Sequence, residues 1–455
     1  MTTPRRTSDC VSDSAASRRA ILAGVATGVT SLAASLSGCL SLPSDDPPPI
    51  GVDDEELRET AAIDVPEVTD RLPVSVGDGP VEESRDRVES LLDPIPSDLA
   101  PAIPNEAVRN YVADYRQRAR DRLTDLEEVE SNYDRLTTLG RSRRDAAEAE
   151  GAYAAATADR VREDVYEAVE SVDRTRQEIE SDLERTGDVL HEAVLVYDAI
   201  EERLDSLDGS LDRVDGQSPL TSEVEAVGEA AGRLESSRAR LELVELLLDR
   251  QKQGSDTPLD EPFERATSEL LAEIDPNVEA LPPADSAPEN VFDVPVADTP
   301  REIVVDGVGG SDVLGTLHRY RSRVEDHLEN DRVARALLAL YELEHERRTF
   351  ESLRDRISDG ELDRPDDVEA VADAKRSAIE AIEAALDSDS YPHLVRNRLS
   401  ASVAAIGLAD RDLEEGRYGG DRGAVYAMGH YEVGGERART LPETAAWFAD
   451  ALEAA

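Results

Sequence analysis

Apolar residues recur every three or four positions through most of the chain, and this spacing limits its fold more than any other feature. From Val108 to Leu136 the intervals average about 3.5 residues, which is the heptad period. Similar stripes run from Val161 to Val214 and from Val224 to Leu248. Helices with this pattern bury a narrow apolar seam and expose a wide charged face. The sequence therefore predicts an all-α fold.

Breaks in these stripes divide the first half of the chain into long helices. We place them at Gly140, around Gly151, at residues 215–219 and at residues 253–258, where glycine, proline and small residues cluster. The interpretation is a set of long antiparallel helical hairpins over residues 105–251, forming a coiled-coil-like bundle. A coiled coil between separate chains would give the same pattern and stays open at this point.

The chain is long enough for two domains, and proline marks where they would join. Residues 276–300 contain six prolines, which end the helical pattern. We predict a long-helix domain over residues 64–281, a proline-rich linker over residues 282–300, and a second, compact helical bundle over residues 301–455.

Two stretches near the predicted domain starts are alike. Residues 64–79 and 293–309 each contain Asp-Val-Pro, a short run that favours a strand, and then glycine. They are either a repeat that places one strand before each helical domain, or a coincidence between two proline- and valine-rich segments. We therefore expect at most two short strands.

The first fifty residues carry the pattern of an export signal. Arg18 and Arg19 precede an apolar run over residues 21–36 that is rich in small residues and shorter than the roughly 20 residues of a membrane-spanning helix. The stretch "SRRAIL" at residues 17–22 resembles the twin-arginine motif, a receptor-read address for proteins that are exported folded. The alternative is an uncleaved signal anchor.

Cys39 follows this run in the sequence "LSGC". This stretch resembles a lipobox, in which a signal peptidase cuts before a lipid-bearing cysteine. The other cysteine, Cys10, lies in the segment that cleavage would remove, so no disulfide could form within the processed chain. The resemblance implies a signal peptide over residues 1–38 and a lipidated, proline-rich tether over residues 39–63, which anchors the protein to the outer face of the cytoplasmic membrane.

Acidic residues outnumber basic residues two to one. The chain has 101 Asp and Glu against 50 Lys and Arg, a net charge of −51, and its only lysines are Lys252 and Lys375. Such acid-rich, lysine-poor sequences resemble the secreted proteins of extreme halophiles, in which surface carboxylates hold water and cations. We interpret the acidity as adaptation to salt. No nucleic acid partner is expected, because the sequence has no basic stripe to bind phosphates.

Two histidines have an acidic residue three positions before them, a spacing found in metal-binding helix bundles. Glu342 precedes His345, and Asp188 precedes His191. An acidic chain produces this spacing by chance, and the two pairs lie in different predicted domains. Glu342 and His345 are kept as a metal-site hypothesis, and no cofactor is expected.

The segment "GAVYAMGHYEVGG" at residues 423–435 combines small residues with Tyr426, His430 and Tyr431. These three side chains are candidates for the lining of a small ligand cleft. The alternative is close helix packing with tyrosines at its edge, for which small residues at helical spacing are typical. The sequence contains no phosphate-binding loop, zinc-protease motif or serine nucleophile elbow, and we do not expect an enzyme.

These patterns together predict an exported, lipid-anchored protein with a structural or protein-interaction role outside the cytoplasmic membrane. Its expected partners are the membrane, through lipid on Cys39, and a surface protein. The alternative is a lipid-anchored subunit that captures a small solute or a metal for transport. The sequence leaves the oligomeric state open.

The charge predicts that folding requires salt. Lowering KCl from about 1 M to about 0.1 M lengthens the Debye length from about 3 Å to about 10 Å, which strengthens the repulsion between carboxylates. We expect the helical circular dichroism signal at low salt to fall, and to stay low when sucrose replaces the salt at equal osmolality. Full recovery in sucrose would contradict the charge-screening explanation.

Overall fold

The computed structural model is entirely helical in its regular structure. It describes residues 50–69, 72–158, 162–211, 222–283, 286, 310–362 and 364–455. Within these ranges there are thirteen α-helices, and the only β-type pairing is an isolated bridge between Thr186 and Pro258. The prediction of an all-α fold is confirmed. No helix in the same ranges has both the length and the apolar character needed to cross a membrane.

The helices are labelled in chain order. They are α1 Asp54–Ala61, α2 Asp78–Leu92, α3 Glu106–Asp125, α4 Asn132–Thr157, α5 Arg162–Ser181, α6 Leu190–Leu211, α7 Glu223–Gly254, α8 Asp260–Glu279, α9 Gly310–Glu329, α10 Val333–Ser358, α11 Val368–Leu386, α12 Pro392–Glu414 and α13 Gly420–Ala454.

Helix starts follow the polar residues of the sequence. Asn105 accepts a hydrogen bond from the backbone N–H of Ala107 at the start of α3. Ser222 and Glu225 form a reciprocal capping box at the start of α7, which satisfies backbone donors that no helical carbonyl can reach. The break predicted at residues 253–258 is confirmed, since it separates α7 from α8.

The break in the first stripe does not lie where the sequence predicted it. α3 gives way to a 3₁₀ turn at Leu126–Glu128, and Ser131 caps the start of α4. Gly140 and Gly151, where we predicted breaks, lie inside α4. That prediction was wrong because both glycines lie inside the helix and face α7. At Gly151 the absence of a side chain lets the two helices approach closely, whereas a Cβ on Gly140 would make an ordinary 3.6 Å contact with Ala239.

The contact between α4 and α7 is a seam of small residues. A Cβ atom on Gly228 would lie 2.7 Å from the carbonyl oxygen of Glu148, and one on Gly151 would lie 2.7 Å from the Cβ of Ala231. Residues late in α4 thus meet residues early in α7, so the helices run antiparallel within one chain. The hairpin of α3 and α4 is also antiparallel, because Ser142 donates to the carbonyl oxygen of Ala119 at 2.8 Å.

Two clusters of apolar side chains form the core. The smaller cluster draws on α2, α3, α4 and the segment between α2 and α3. The larger cluster contains side chains from α1 and from α5 through α13. Residues Pro49–Ala455 form one compact unit.

Several sequence predictions lie outside the described residues. These include the break at residues 215–219, the stretch 293–309 and most of the predicted linker at residues 282–300. The described part of residues 64–79 contains no strand.

The first described residues are fastened to the C-terminal helices. The backbone N–H of Ile50 donates to Asp421 at 2.8 Å, and Asp54 accepts from the backbone N–H of Gly420 at 2.7 Å. Two helices that are far apart in sequence therefore begin side by side, each near an acidic residue of the other.

The other end of α1 is held by one of the two lysines. The Lys375 ammonium is fully buried and donates to the carbonyl oxygens of Thr60 and Ala61, at 3.1 and 2.8 Å. It also pairs with Asp410 at 2.9 Å. A buried charge is tolerated only with such partners, and here they include the negative end of a helix.

The small-residue seam predicts opposite outcomes for two glycine-to-alanine substitutions. Gly228→Ala should lower the free energy of unfolding by about 1–3 kcal/mol, because its methyl group overlaps the α4 backbone. Gly407→Ala, in α12, should raise it by about 0.5–1 kcal/mol, since nothing lies within 4 Å of the added carbon. Urea unfolding in molar KCl measures both. If both substitutions change the free energy of unfolding by the same amount, the seam between α4 and α7 is not tightly packed.

Candidate functional site

A groove opens where α2, α4 and α7 meet. Its volume is about 540 Å³, and it is lined by polar and apolar residues from all three helices. We call it the α2–α4–α7 groove. Its charged lining residues are the arginines Arg87, Arg143 and Arg238 and the carboxylates Glu83, Glu235, Glu242, Glu245 and Asp249. This size is typical of small-molecule sites.

The floor of the groove is a network of buried ion pairs. Arg87 of α2 binds the Glu235 carboxylate with two hydrogen bonds of 2.9 Å. Arg143 of α4 donates to the same carboxylate at 2.7 Å and to Glu242 at 3.0 Å. The side chains of Arg143 and Glu235 are only 4% and 2% exposed. The network thus joins the three helices through the buried pair of Arg143 and Glu235, to which the more exposed Arg87 and Glu242 are bound.

The surroundings of Glu235 keep it ionised. Burial alone would raise the pKa of Glu235, but the hydrogen bonds from Arg87 and the positive charge of Arg143 lower it to about 2. The carboxylate of Glu235 raises the pKa of Arg87 in return. The floor is therefore a set of permanent charges, suited to holding and orienting a ligand and not to transferring protons near neutral pH.

The rim carries charges that are less completely paired. The guanidinium of Arg238 lies 3.5 Å from Glu235 and is 39% exposed. Glu245 is exposed, and its pKa is raised by partial burial and by the negative charges of Glu242 and Asp249. The aliphatic side chains that line the groove between these charges are Leu136, Ala239, Leu243 and Leu246.

The residues proposed for a ligand cleft in α13 divide between two environments. The rings of Tyr426 and His430 are adjacent, with centroids 4.4 Å apart, and the Tyr426 hydroxyl donates to Asp412 at 3.1 Å. Tyr431 is buried and donates to Asp410 at 2.7 Å, beside Lys375. The structure brings the first two side chains together and places Tyr431 in the core.

The proposed metal pair is occupied by other contacts. Burial lowers the pKa of His345 to about 4, so the ring is neutral, and its Nε2 donates to the carbonyl oxygen of Arg437 at 2.8 Å. Glu342 accepts from Arg398 at 2.8 Å. In the part of the chain that the structure describes, no group of three or more His, Cys, Asp or Glu is arranged to hold a metal ion.

The remaining sequence candidates have no role at the groove. The His191 ring packs edge-on against Tyr391, with centroids 4.9 Å apart, and Asp188 accepts from Ser255 at 2.6 Å. Arg18, Arg19 and Cys39 lie outside the described residues.

Sequence reasoning missed the groove, although one signal for it was present. Arg143 follows Leu139 by four positions and precedes Ala146 by three, so a charged residue occupies a position of the apolar seam. A charge at such a position needs a buried partner. The sequence could not identify that partner as Glu235, which lies 92 positions away.

Comparisons with known proteins divide the chain into two parts. Residues 80–257 match a family described as a domain of unknown function (DUF8262), and residues 260–450 match another with the same description (DUF8264). The matches meet between α7 and α8, and the groove lies within the first. Neither the curated proteins nor the solved structures contain a match to the chain.

The lowered pKa of Glu235 predicts a specific pH dependence of stability. A carboxylate with a folded pKa of about 2 and an ordinary value of 4.5 adds stability that is complete above pH 4.5 and is lost as the pH falls toward 2. Glu235→Gln should lower the free energy of unfolding by about 3 kcal/mol at pH 7, and by much less near pH 2.

Urea unfolding in molar salt, compared between the variant and the original chain at each pH, measures this difference. Glu269→Gln is the control, because it removes an exposed carboxylate of α8. A Glu235→Gln deficit that does not change with pH would contradict the assignment.

Proposed function

We propose that this protein is a lipid-anchored component of the outer face of the cytoplasmic membrane, with a structural or protein-interaction role. The observation that carries the proposal is the attachment of the first described residues to the C-terminal helices. Hydrogen bonds join Ile50 to Asp421 and Asp54 to Gly420. The second half of the predicted tether at residues 39–63 is part of the folded unit, because α1 lies within it and buries Leu57 and Ala61. A tether that ends at Ile50 would hold the helical unit by one fixed point of its surface.

Fixed attachment suits a component that presents a surface to a partner. Burial of Lys375 against the carbonyl oxygens of Thr60 and Ala61 secures the other end of α1, so tension on the tether would act on a helix held at both ends. The composition supports a role in molar salt, since high salt screens the repulsion between its carboxylates.

Matched cysteine variants test the anchor. In a halophilic host, the original protein should fractionate with membranes and begin at a lipid-modified Cys39 by mass spectrometry. Cys39→Ser should lose the lipid and leave the membrane fraction, whereas Cys10→Ser should behave as the original, because residue 10 is removed with the signal. A Cys39→Ser protein that stays membrane-bound would contradict the proposal.

An arginine variant tests the export route. Replacing both Arg18 and Arg19 by lysine keeps the charge but removes the twin-arginine pair, and should leave an unprocessed precursor inside the cell. Normal processing of that variant would show that another route exports the protein. Crosslinking at the cell surface should then recover one reproducible protein partner of the original chain.

The second candidate function is that of a lipid-anchored solute-binding subunit. The α2–α4–α7 groove favours it, because a cavity of about 540 Å³ with fixed charges and partly exposed aliphatic side chains can hold a small molecule. The two functions differ in what they require, since a solute-binding subunit must bind its ligand as a purified protein without a protein partner.

A further inference from the structure

We propose that the α2–α4–α7 groove binds a small zwitterion, with an amine and a carboxylate separated by an apolar stretch, as in a short peptide. This inference rests on the second candidate function and names its ligand class.

Arg238 supplies the positive end. Its guanidinium is 39% exposed, and its one ion pair among the described residues is a 3.5 Å contact with Glu235. The oxygens of Glu235 already accept hydrogen bonds from Arg87 and Arg143. Arg238 therefore retains donors for another carboxylate, which a guanidinium binds in a bidentate geometry.

Glu245 supplies the negative end. It is exposed, it has no cationic partner among the described residues, and the carboxylates of Glu242 and Asp249 contribute to raising its pKa. An amine bound beside Glu245 would offset this repulsion. Arg238 and Glu245 lie seven positions apart on α7, which is two turns or about 10 Å along the helix axis. That distance suits a ligand of several bonds in length, with its charges at opposite ends.

Aliphatic side chains line the groove beside the two ends. Leu136 of α4 and Leu246 of α7 line the groove and are partly exposed, and Leu243 lies beside them. An apolar ligand segment placed there would remove apolar surface from water, an effect that molar potassium chloride does not screen. The groove thus offers a cation and an anion on one face of α7, with the Glu242 carboxylate between them and an aliphatic surface alongside.

The balance of charge selects a zwitterion over a simple ion. Three arginines and five carboxylates line the groove, so a pure anion would meet a net negative charge. A pure cation would leave Arg238 without a strong partner. In molar salt the Debye length is about 3 Å, so only ion pairs in direct contact contribute to affinity. A ligand therefore binds most tightly when each of its two charges forms an ion pair.

Isothermal titration calorimetry with the full chain in molar KCl tests the proposal. The probes are trileucine, trileucine amide, which lacks the carboxylate, and N-acetyl-trileucine, which lacks the amine. We expect trileucine to bind, and either blocked form to bind at least about tenfold more weakly, because each loses one ion pair.

Variants of the two ends assign each ion pair. Arg238→Gln should weaken trileucine binding and abolish the preference for trileucine over its amide. Glu245→Gln should weaken binding and abolish the preference for trileucine over the acetylated form. Arg265→Gln and Glu269→Gln make the same charge changes at exposed positions of α8 and should leave binding unchanged.

The possible failures are distinguishable. If Arg238→Gln and Glu245→Gln bind trileucine with the same affinity as the original chain, the proposed site is wrong. If N-acetyl-trileucine binds tightly and trileucine amide does not bind, the ligand would be an organic anion and not a zwitterion. The solute-binding function would stand in that case. Failure of all three probes to bind would overturn both this ligand class and a peptide-binding role for the groove.

Discussion

Buried pairs of arginine and carboxylate are the interaction on which this fold depends. Aromatic residues are only 4% of the chain, and alanine, valine and leucine leave narrow seams, so charged side chains must enter the core. Arg398 and Arg437 both bind Glu346, and Arg185 binds Glu201, with the carboxylates at most 1% exposed. Each such pair costs desolvation, and removing one partner would leave a buried charge without compensation. Because salt screens buried charges far less than exposed ones, these pairs persist in brine that would cancel a surface ion pair.

The groove continues this pairing to the surface. Its floor, around Glu235, belongs to the framework that joins α2, α4 and α7. Of its rim residues, Glu245 is exposed and Arg238 is half-buried, with a single 3.5 Å ion pair to that framework among the described residues. In the proposed site, stability and recognition would therefore be carried by different side chains of one helix, and the rim could be substituted with little effect on the framework.

The sequence predicts the fold class far better than the site. Spacing of apolar residues identifies the helices because each helix is a local structure, and the break at residues 253–258 follows from local glycine and proline. Gly140 and Gly151 were misread because a glycine that ends a helix and one that admits a neighbouring helix look the same until the neighbour is known. The groove was missed for a related reason, since its charges come from three helices and no short motif contains them. Tyr426 and Tyr431 are close in sequence, yet only a tertiary fold shows that one is half-buried and the other lies in the core.

The reciprocal contact between the two ends of the chain has a consequence for biosynthesis. Ile50 finds its partner 371 positions later, at the start of the last helix, and the lysine that receives the end of α1 lies more than 300 positions beyond it. On the ribosome, the segment that begins at Ile50 must therefore wait until nearly the whole polypeptide has emerged. Contacts between residues so far apart in sequence form slowly. The segment is therefore packed in the completed molecule and not in the nascent chain. The export proposed above would, for this reason, follow the completion of translation and the formation of the last helix.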